Sequence, residues 1–290
     1  IRWMLRTAFS PPRCIYEKDN TVSVITAPNY QVYYRTNFEF TVKDGVTITG
    51  SIWRDHEESN PNSCVIFLHS LGTNQFEVLN IIPILCCKQL CIVSFDFPGC
   101  GMSGGEILPL DGSGAEIVKN CVEKLKNDFH ISKFALWGRS MGAAVALQSV
   151  SIYNEDFQCV VSDSAFSCTE KILFDQGKAN GFPSFMISMI MPMIKKEAQD
   201  AFKTNVDNPF PIGYVSDARA PLLMGHGKQD VFVPLHHAEL LFQKYGMNNK
   251  QLYFFGGKHN SPRPGQWYQT AARFINRHMG IDSPPRVYDV

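Results

Sequence analysis

The chain has 290 residues, 44% of them hydrophobic, and 27 Lys plus Arg balance 27 Asp plus Glu. That is enough apolar material for one large domain or two small ones, and a net charge of zero gives no electrostatic footprint for nucleic acid. Nine cysteines are an odd number, and Cys64, Cys91 and Cys159 sit inside apolar runs, which argues for a reducing, cytoplasmic setting over a disulfide framework.

There is no C-x-x-C pair, so a zinc site of that kind is not expected. Neither a secretory signal peptide nor an apolar run long enough to span a bilayer is visible. The first residue is Ile1 rather than Met, as in a fragment or processed form.

Residues 1–37 read as an irregular arm. Arg2, Arg6 and Arg13 interleave with Trp3, Met4, Leu5 and Phe9, and Pro11-Pro12 breaks a helix. Such a basic, apolar arm can either touch a membrane surface or pack on the domain. Phe38–Val42 and Thr47–Trp53 flank Lys43-Asp44-Gly45-Val46 and predict a β-hairpin. After the loop Asn60-Pro61-Asn62-Ser63, CVIFL (Cys64–Leu68) is continuously apolar, as a strand buried on both faces should be. Phe76–Lys88 reads as a helix, Cys91–Phe95 as a second buried strand, and Gly99–Gly105 as a loop. Ser113-Gly-Ala-Glu116 matches a capping box, and Ile117, Cys121, Val122, Leu125 and Phe129 share one helical face.

Phe134–Ala146, FALWGRSMGAAVA, carries the strongest signal. An apolar strand runs into Gly138-Arg139-Ser140-Met141-Gly142 and then into a small-residue helix. G-x-S-x-G in that context is a nucleophile elbow, which lifts a serine hydroxyl to where a base can reach it. Cys159–Val161, Leu222–Gly225 and Leu252–Phe255 read as further strands, and His236–Lys244 and Trp267–His278 as helices. The alternation predicts a mostly parallel sheet covered on both sides. Residues 164–210 interrupt it with an apolar helix (Phe182, Phe185, Met186, Met189, Ile190, Met193; Pro183 near its start, Pro192 near its end). That insertion is either a lid or a segment packed on the core. With no repeat or linker, the predicted organisation is an arm over 1–37, one domain over 38–280 with the lid insertion at about 164–210, and a tail over 281–290.

A serine nucleophile needs a base, and the base needs an orienting acid. Downstream of Ser140, two apolar strands each end in a loop with the required residue: Asp230 in HGKQDVFVP and His259 in GGKHNSP. In open α/β sheets such groups gather beyond the carboxyl ends of the strands. The predicted catalytic set is therefore Ser140, Asp230 and His259, with Asp163 as the rival acid. The oxyanion donors expected are the backbone amides of Met141, at the helix start, and Leu71, in the loop after CVIFL. G-x-G-x-x-G at Gly99–Gly104 does not open into a helix and reads as a structural loop. His236 and His237 are adjacent and are not expected to converge as metal ligands, and His69 and His226 read as core histidines.

With these residues in place, LHSLG, FDFPGCGMSGG, WGRSMGA, VSDSAFS, HGKQDVFVP and GGKHNSPRP resemble the α/β-hydrolase superfamily from about Phe38 to His278. The nearest branch is the serine-aminopeptidase-like and prolyl-oligopeptidase-related group that includes α/β-hydrolase-domain acyl-protein thioesterases. The resemblance implies an α/β-hydrolase fold, no metal or organic cofactor, and a small-molecule or acyl-bearing substrate. Expected functions are a serine esterase or thioesterase, a serine peptidase, or a catalytically weak scaffold subunit of a larger assembly. One departure is Ser70, where the family usually has glycine.

Overall fold

The computed structural model describes residues 2–17, 21–27, 30–56 and 61–281. The tail expected over 281–290 therefore lies, except for Ile281, outside the described residues, as does Asn60 of the loop before CVIFL.

Among the described residues, nine strands form one sheet: β1 (Val24–Thr26), β2 (Val32–Thr41), β3 (Thr47–Arg54), β4 (Ser63–Leu68), β5 (Leu90–Phe95), β6 (Lys133–Arg139), β7 (Phe157–Asp163), β8 (Leu222–Gly227) and β9 (Lys250–Phe255). Their order is β1-β2-β3-β5-β4-β6-β7-β8-β9. The first three are antiparallel and join β5 antiparallel. From β5 through β9 all neighbours run parallel. The hairpin predicted over Phe38–Trp53 is the turn end of the longer β2–β3 pair.

β4 is buried along its whole length, and alternation explains why it is apolar from Cys64 to Leu68. Ile66 and Leu68 join the core on one face, with α3 (Gly114–Phe129) and α4 (Met141–Ile152). Val65 and Phe67 join the core on the other, with α2 (Ile82–Leu85) and α8 (Gly265–Met279). Successive side chains on a strand point to opposite faces, so a doubly covered strand has no polar side.

Three local readings differ from expectation. Arg2–Phe9 forms a helix, α1, whose Leu5 and Phe9, four apart on one face, are buried against the domain. Residues 1–37 thus hold a helix and, from Val24, the first strands of the sheet rather than being irregular throughout their described part. Phe76–Lys88 is not one helix. A 3-10 turn over Gln75–Asn80, capped by Asn74, gives way to the short α2. Pro83 lies in the first turn of α2, where its missing N–H is tolerated, but it could not continue a helix from upstream. Ser113 makes no side-chain cap because its own backbone is helical, and a capping serine needs an extended one.

The 164–210 insertion is a helical pair: α5 (Thr169–Ala179) and α6 (Ser184–Phe202). Pro192 lies inside α6, not near its end. Ile187, Met191, Ala198 and Phe202 face inward, while Phe185, Met189 and Met193 are 72%, 68% and 60% exposed. α7 (His236–Lys244) completes the helices. Among the described residues no helix is long and apolar enough to cross a membrane.

Candidate active site

Ser140 sits between β6 and α4 with φ +51° and ψ −112°. That region is costly for a residue with a Cβ, and the surroundings enforce it. The Ser140 amide donates to the Asp163 carbonyl at 2.8 Å, and its carbonyl accepts the Ala144 amide at 3.1 Å. The two flanking glycines have a steric reason. A Cβ on Gly138 would lie 2.2 Å from the Gly142 carbonyl oxygen, and one on Gly142 would lie 2.0 Å from that of Leu68. Strand, turn and helix pass too close for any side chain at either position.

The loops after β8 and β9 bring the two other predicted residues to this turn. His259 Nε2 is 2.9 Å from Ser140 Oγ, and His259 Nδ1 is 2.7 Å from Asp230 Oδ2. A carboxylate only accepts, so Nδ1 carries the proton and Nε2 is free to accept from the serine hydroxyl. Asp230 Oδ1 accepts the Phe232 and Val233 amides at 3.0 and 2.8 Å. Burial alone would raise the Asp230 carboxyl, but the hydrogen bond and charge of His259 and the Val233 amide hold it below the usual carboxylate range. The Phe232 ring lies 5.0 Å from the imidazole, and its carbonyl accepts from Gln176 of α5, linking the helical insertion to the rim of the site. Ser140 and His259 are only 6% and 7% exposed.

Asp163, the rival acid, does not meet the imidazole. It pairs with Arg263, which also donates to the carbonyls of His259 at 3.0 Å and Ser261 at 2.9 Å. Arg263 lies outside the predicted set. Its signal is its position in the same NSPRP run as the base, where a buried cation demands an anion.

Met141 is the first residue of α4, where amides have no intrahelical acceptor. Leu71 follows β4 in the predicted loop, and among the described residues its amide donates to no backbone carbonyl outside regular elements. His69 and His226 make the contacts of core histidines: the Phe97 amide donates to His69 Nε2 at 3.0 Å, and His226 Nε2 lies 2.7 Å from the Val233 carbonyl. In the Gly99–Gly105 loop, the Met102 amide donates to Asp96 Oδ2 at 3.0 Å and the Gln75 amide to Oδ1 at 2.7 Å, so the loop wraps a carboxylate of its own chain.

His236 and His237 do converge, contrary to expectation. Their rings stack at 4.5 Å, and both Nε2 atoms approach Asp175 Oδ2, at 2.8 and 3.0 Å. The angular separation of neighbours on a helix does not prevent this, because Asp175 reaches across from α5. All three potential ligand atoms lie within 4.8 Å of one another. The Ser167 amide donates to His237 Nδ1 at 3.0 Å, which leaves the proton of a neutral ring on Nε2. A ring with its proton on Nε2 turns an N–H toward Asp175 rather than the lone pair a metal would take. Burial, then the charge of His236, pushes His237 down to about 4.

Residues 64–190 match the family described as alpha/beta hydrolase fold. The esterase Pf2001 of Pyrococcus furiosus superposes with a TM-score of 0.72 at 22% identity, covering 93% of this chain and 98% of that one. The monoacylglycerol lipase of Paleococcus ferrophilus superposes with 0.56 at 17% identity, covering 85% and 99%. In sequence, the uncharacterized protein YqkD of Bacillus subtilis (strain 168) is 23% identical over 231 residues, 79% of this chain and 73% of that protein. The chain has the α/β-hydrolase fold.

Proposed function

We propose that the protein is a serine hydrolase that cleaves carboxylic esters or thioesters through an acyl-enzyme on Ser140. The observation that carries this reading is the continuous pair of contacts from Ser140 Oγ to His259 to Asp230, at 2.9 and 2.7 Å. As Ser140 Oγ attacks the acyl carbon, its proton passes to His259 Nε2. Asp230 holds the ring's tautomer and stabilises the imidazolium that forms. The oxyanion is taken up by the amides of Met141 and Leu71. Collapse breaks the bond to the leaving alkoxide or thiolate, which receives the proton from His259. Water, deprotonated by the same nitrogen, then releases the acid and returns the serine.

The names of the structural neighbours, an esterase and a monoacylglycerol lipase, support ester chemistry over peptide hydrolysis. The exposed apolar face of α6 supports an acyl-bearing substrate, with methionines able to adapt to a flexible chain. Labelling with a fluorophosphonate probe tests the reading: wild type takes the label and Ser140→Ala does not. Equal labelling of both, or of neither, removes it.

The small exposure of Ser140 and His259 favours a second reading, a scaffold subunit whose triad is covered. Hydrolysis of short-chain esters that is abolished in His259→Ala counts against it.

A further inference from the structure

Glu77, in the 3-10 turn after β4, lies where three loops of the site meet. Its Oε2 accepts the Ser70 amide at 2.7 Å, the Ser70 hydroxyl at 2.9 Å and the Thr73 hydroxyl at 3.1 Å. Its Oε1 accepts from Arg139 Nη1. Arg139 immediately precedes the nucleophile, and its Nη2 reaches the His259 carbonyl at 3.3 Å and Asn260 Oδ1 at 3.5 Å. One carboxylate therefore ties the loop after β4 to the elbow, and the elbow's guanidinium continues the link to the loop bearing the base.

The other side of Ser70 is held as well. The Phe97 amide donates to His69 Nε2, so His69 Nδ1 carries the proton and donates to the Ser70 carbonyl at 2.8 Å. The Thr73 hydroxyl lies 2.9 Å from the same carbonyl, and its single proton serves either that oxygen or Glu77. In a trans peptide, a carbonyl and the N–H that follows it point in opposite directions. A Ser70 carbonyl fixed toward His69 and Thr73 therefore aims the Leu71 amide the other way. Glu77 sets this geometry from the amide side of Ser70. The Ser70 hydroxyl adds a bond to Glu77 that the usual glycine cannot make.

We infer that Glu77 is a positioning residue for the hydrolysis: through Ser70 it orients the Leu71 amide toward the oxyanion, and through Arg139 it holds the His259 loop against the elbow. This rests on the reading of Ser140 as the nucleophile. Ser70 is then a strengthening of the loop rather than a defect in it.

The test is Glu77→Gln, Arg139→Gln, the double variant and Ser70→Ala, each assayed for kcat and KM on a p-nitrophenyl short-chain ester, for fluorophosphonate labelling and for thermal melting. Displacement of a reacting group by a fraction of an ångström lowers turnover more than binding, so Glu77→Gln should lose roughly 10–100-fold in kcat with KM within about threefold. The double variant should lose no more than the weaker-turning single variant, because both act on one linkage. Ser70→Ala, which keeps the Glu77–Arg139 pair, should melt as wild type does and lose a few-fold in kcat. Unchanged kcat in Glu77→Gln, or fully additive losses in the double, overturns the inference. If Glu77→Gln does not fold, Ser70→Ala decides, and a wild-type kcat there overturns it. A wild-type chain that neither labels nor turns over ester removes the hydrolase reading and this one with it. A wild type that labels and turns over beside an unaffected Glu77→Gln removes this one alone.

Discussion

Asp163 and Arg263 face each other through two nitrogens, Nε at 2.9 Å from Oδ2 and Nη2 at 2.9 Å from Oδ1, with each side chain 3% exposed. Oδ1 also accepts from the Ser164 hydroxyl, and the imidazole Nδ1 meets Asp230 instead, at 2.7 Å. The two acids should therefore fail in different ways. Asp163→Asn strands a buried guanidinium and should cost about 3–5 kcal/mol of stability. Asp230→Asn should melt near wild type and lose on the order of 10⁴-fold in kcat, because the amide favours the wrong tautomer. Urea denaturation and ester kinetics on both variants check this; the opposite assignment would make Asp163 the orienting acid.

The strained backbone at Ser140 separates activity from stability. Ser140→Ala keeps a Cβ at φ +51° and should be inactive with stability close to wild type. Ser140→Gly should be equally inactive yet more stable, by about 1–2 kcal/mol, since glycine enters that region freely. Midpoints of urea unfolding for the three proteins measure the difference. Equal midpoints for alanine and glycine would mean that the turn stores no strain.

Gly142→Ala places a methyl 2.0 Å from the Leu68 carbonyl oxygen. Backbone cannot move aside as a side chain can, so α4 must shift away from β4. The expected cost is about 1–3 kcal/mol, with loss of fluorophosphonate labelling because Ser140 moves with the helix. A variant that melts and labels as wild type does would contradict the tight approach of strand and helix.

The elbow is legible in the sequence because each of its residues answers a local demand: apolar β6, glycines where strand and helix touch, and alanines where α4 lies on the sheet. Asp230 and His259 are legible because each follows an apolar strand directly. Glu77 and Arg263 are not, since what marks them is a partner 62 or 100 residues away. The same holds for α1. Its Leu5 and Phe9 form too short a stripe to announce a helix, and only the domain surface they cover makes the helix worthwhile. Asp175 escapes notice for a similar reason, because it meets His236 and His237 across two separate helices.

His237 ties stability to pH. Its folded value, about 4, lies below the ordinary 6.5, so the unfolded chain binds a proton first as pH falls. Stability is therefore full above about pH 6.5 and declines between there and about pH 4, by on the order of 1 kcal/mol per pH unit. Asp230, also held low, adds a decline of the same sign as pH falls further. His237→Gln should flatten the upper part of this slope in thermal melts taken from pH 7 to pH 5. An unchanged slope would show that His237 does not resist protonation in the fold.

The outward face of α6 offers a test of the acyl-substrate reading. Met189→Gln and Met193→Gln alter exposed positions and should change stability by no more than about 0.5 kcal/mol. If the face contacts an acyl chain, KM for long-chain esters should rise several-fold while short-chain esters are unaffected. A profile across chain lengths that stays parallel to wild type would detach α6 from substrate choice.

β1, only three residues long, borders one rim of the sheet, and β9 borders the other. The first rim steps back to β2 beyond Tyr34, because β1 pairs only with Val32–Tyr34 of that ten-residue strand, while the second presents a six-residue edge with Phe254 partly in solvent. Two copies joined rim to rim along β9 would cover that edge in both and form a closed pair.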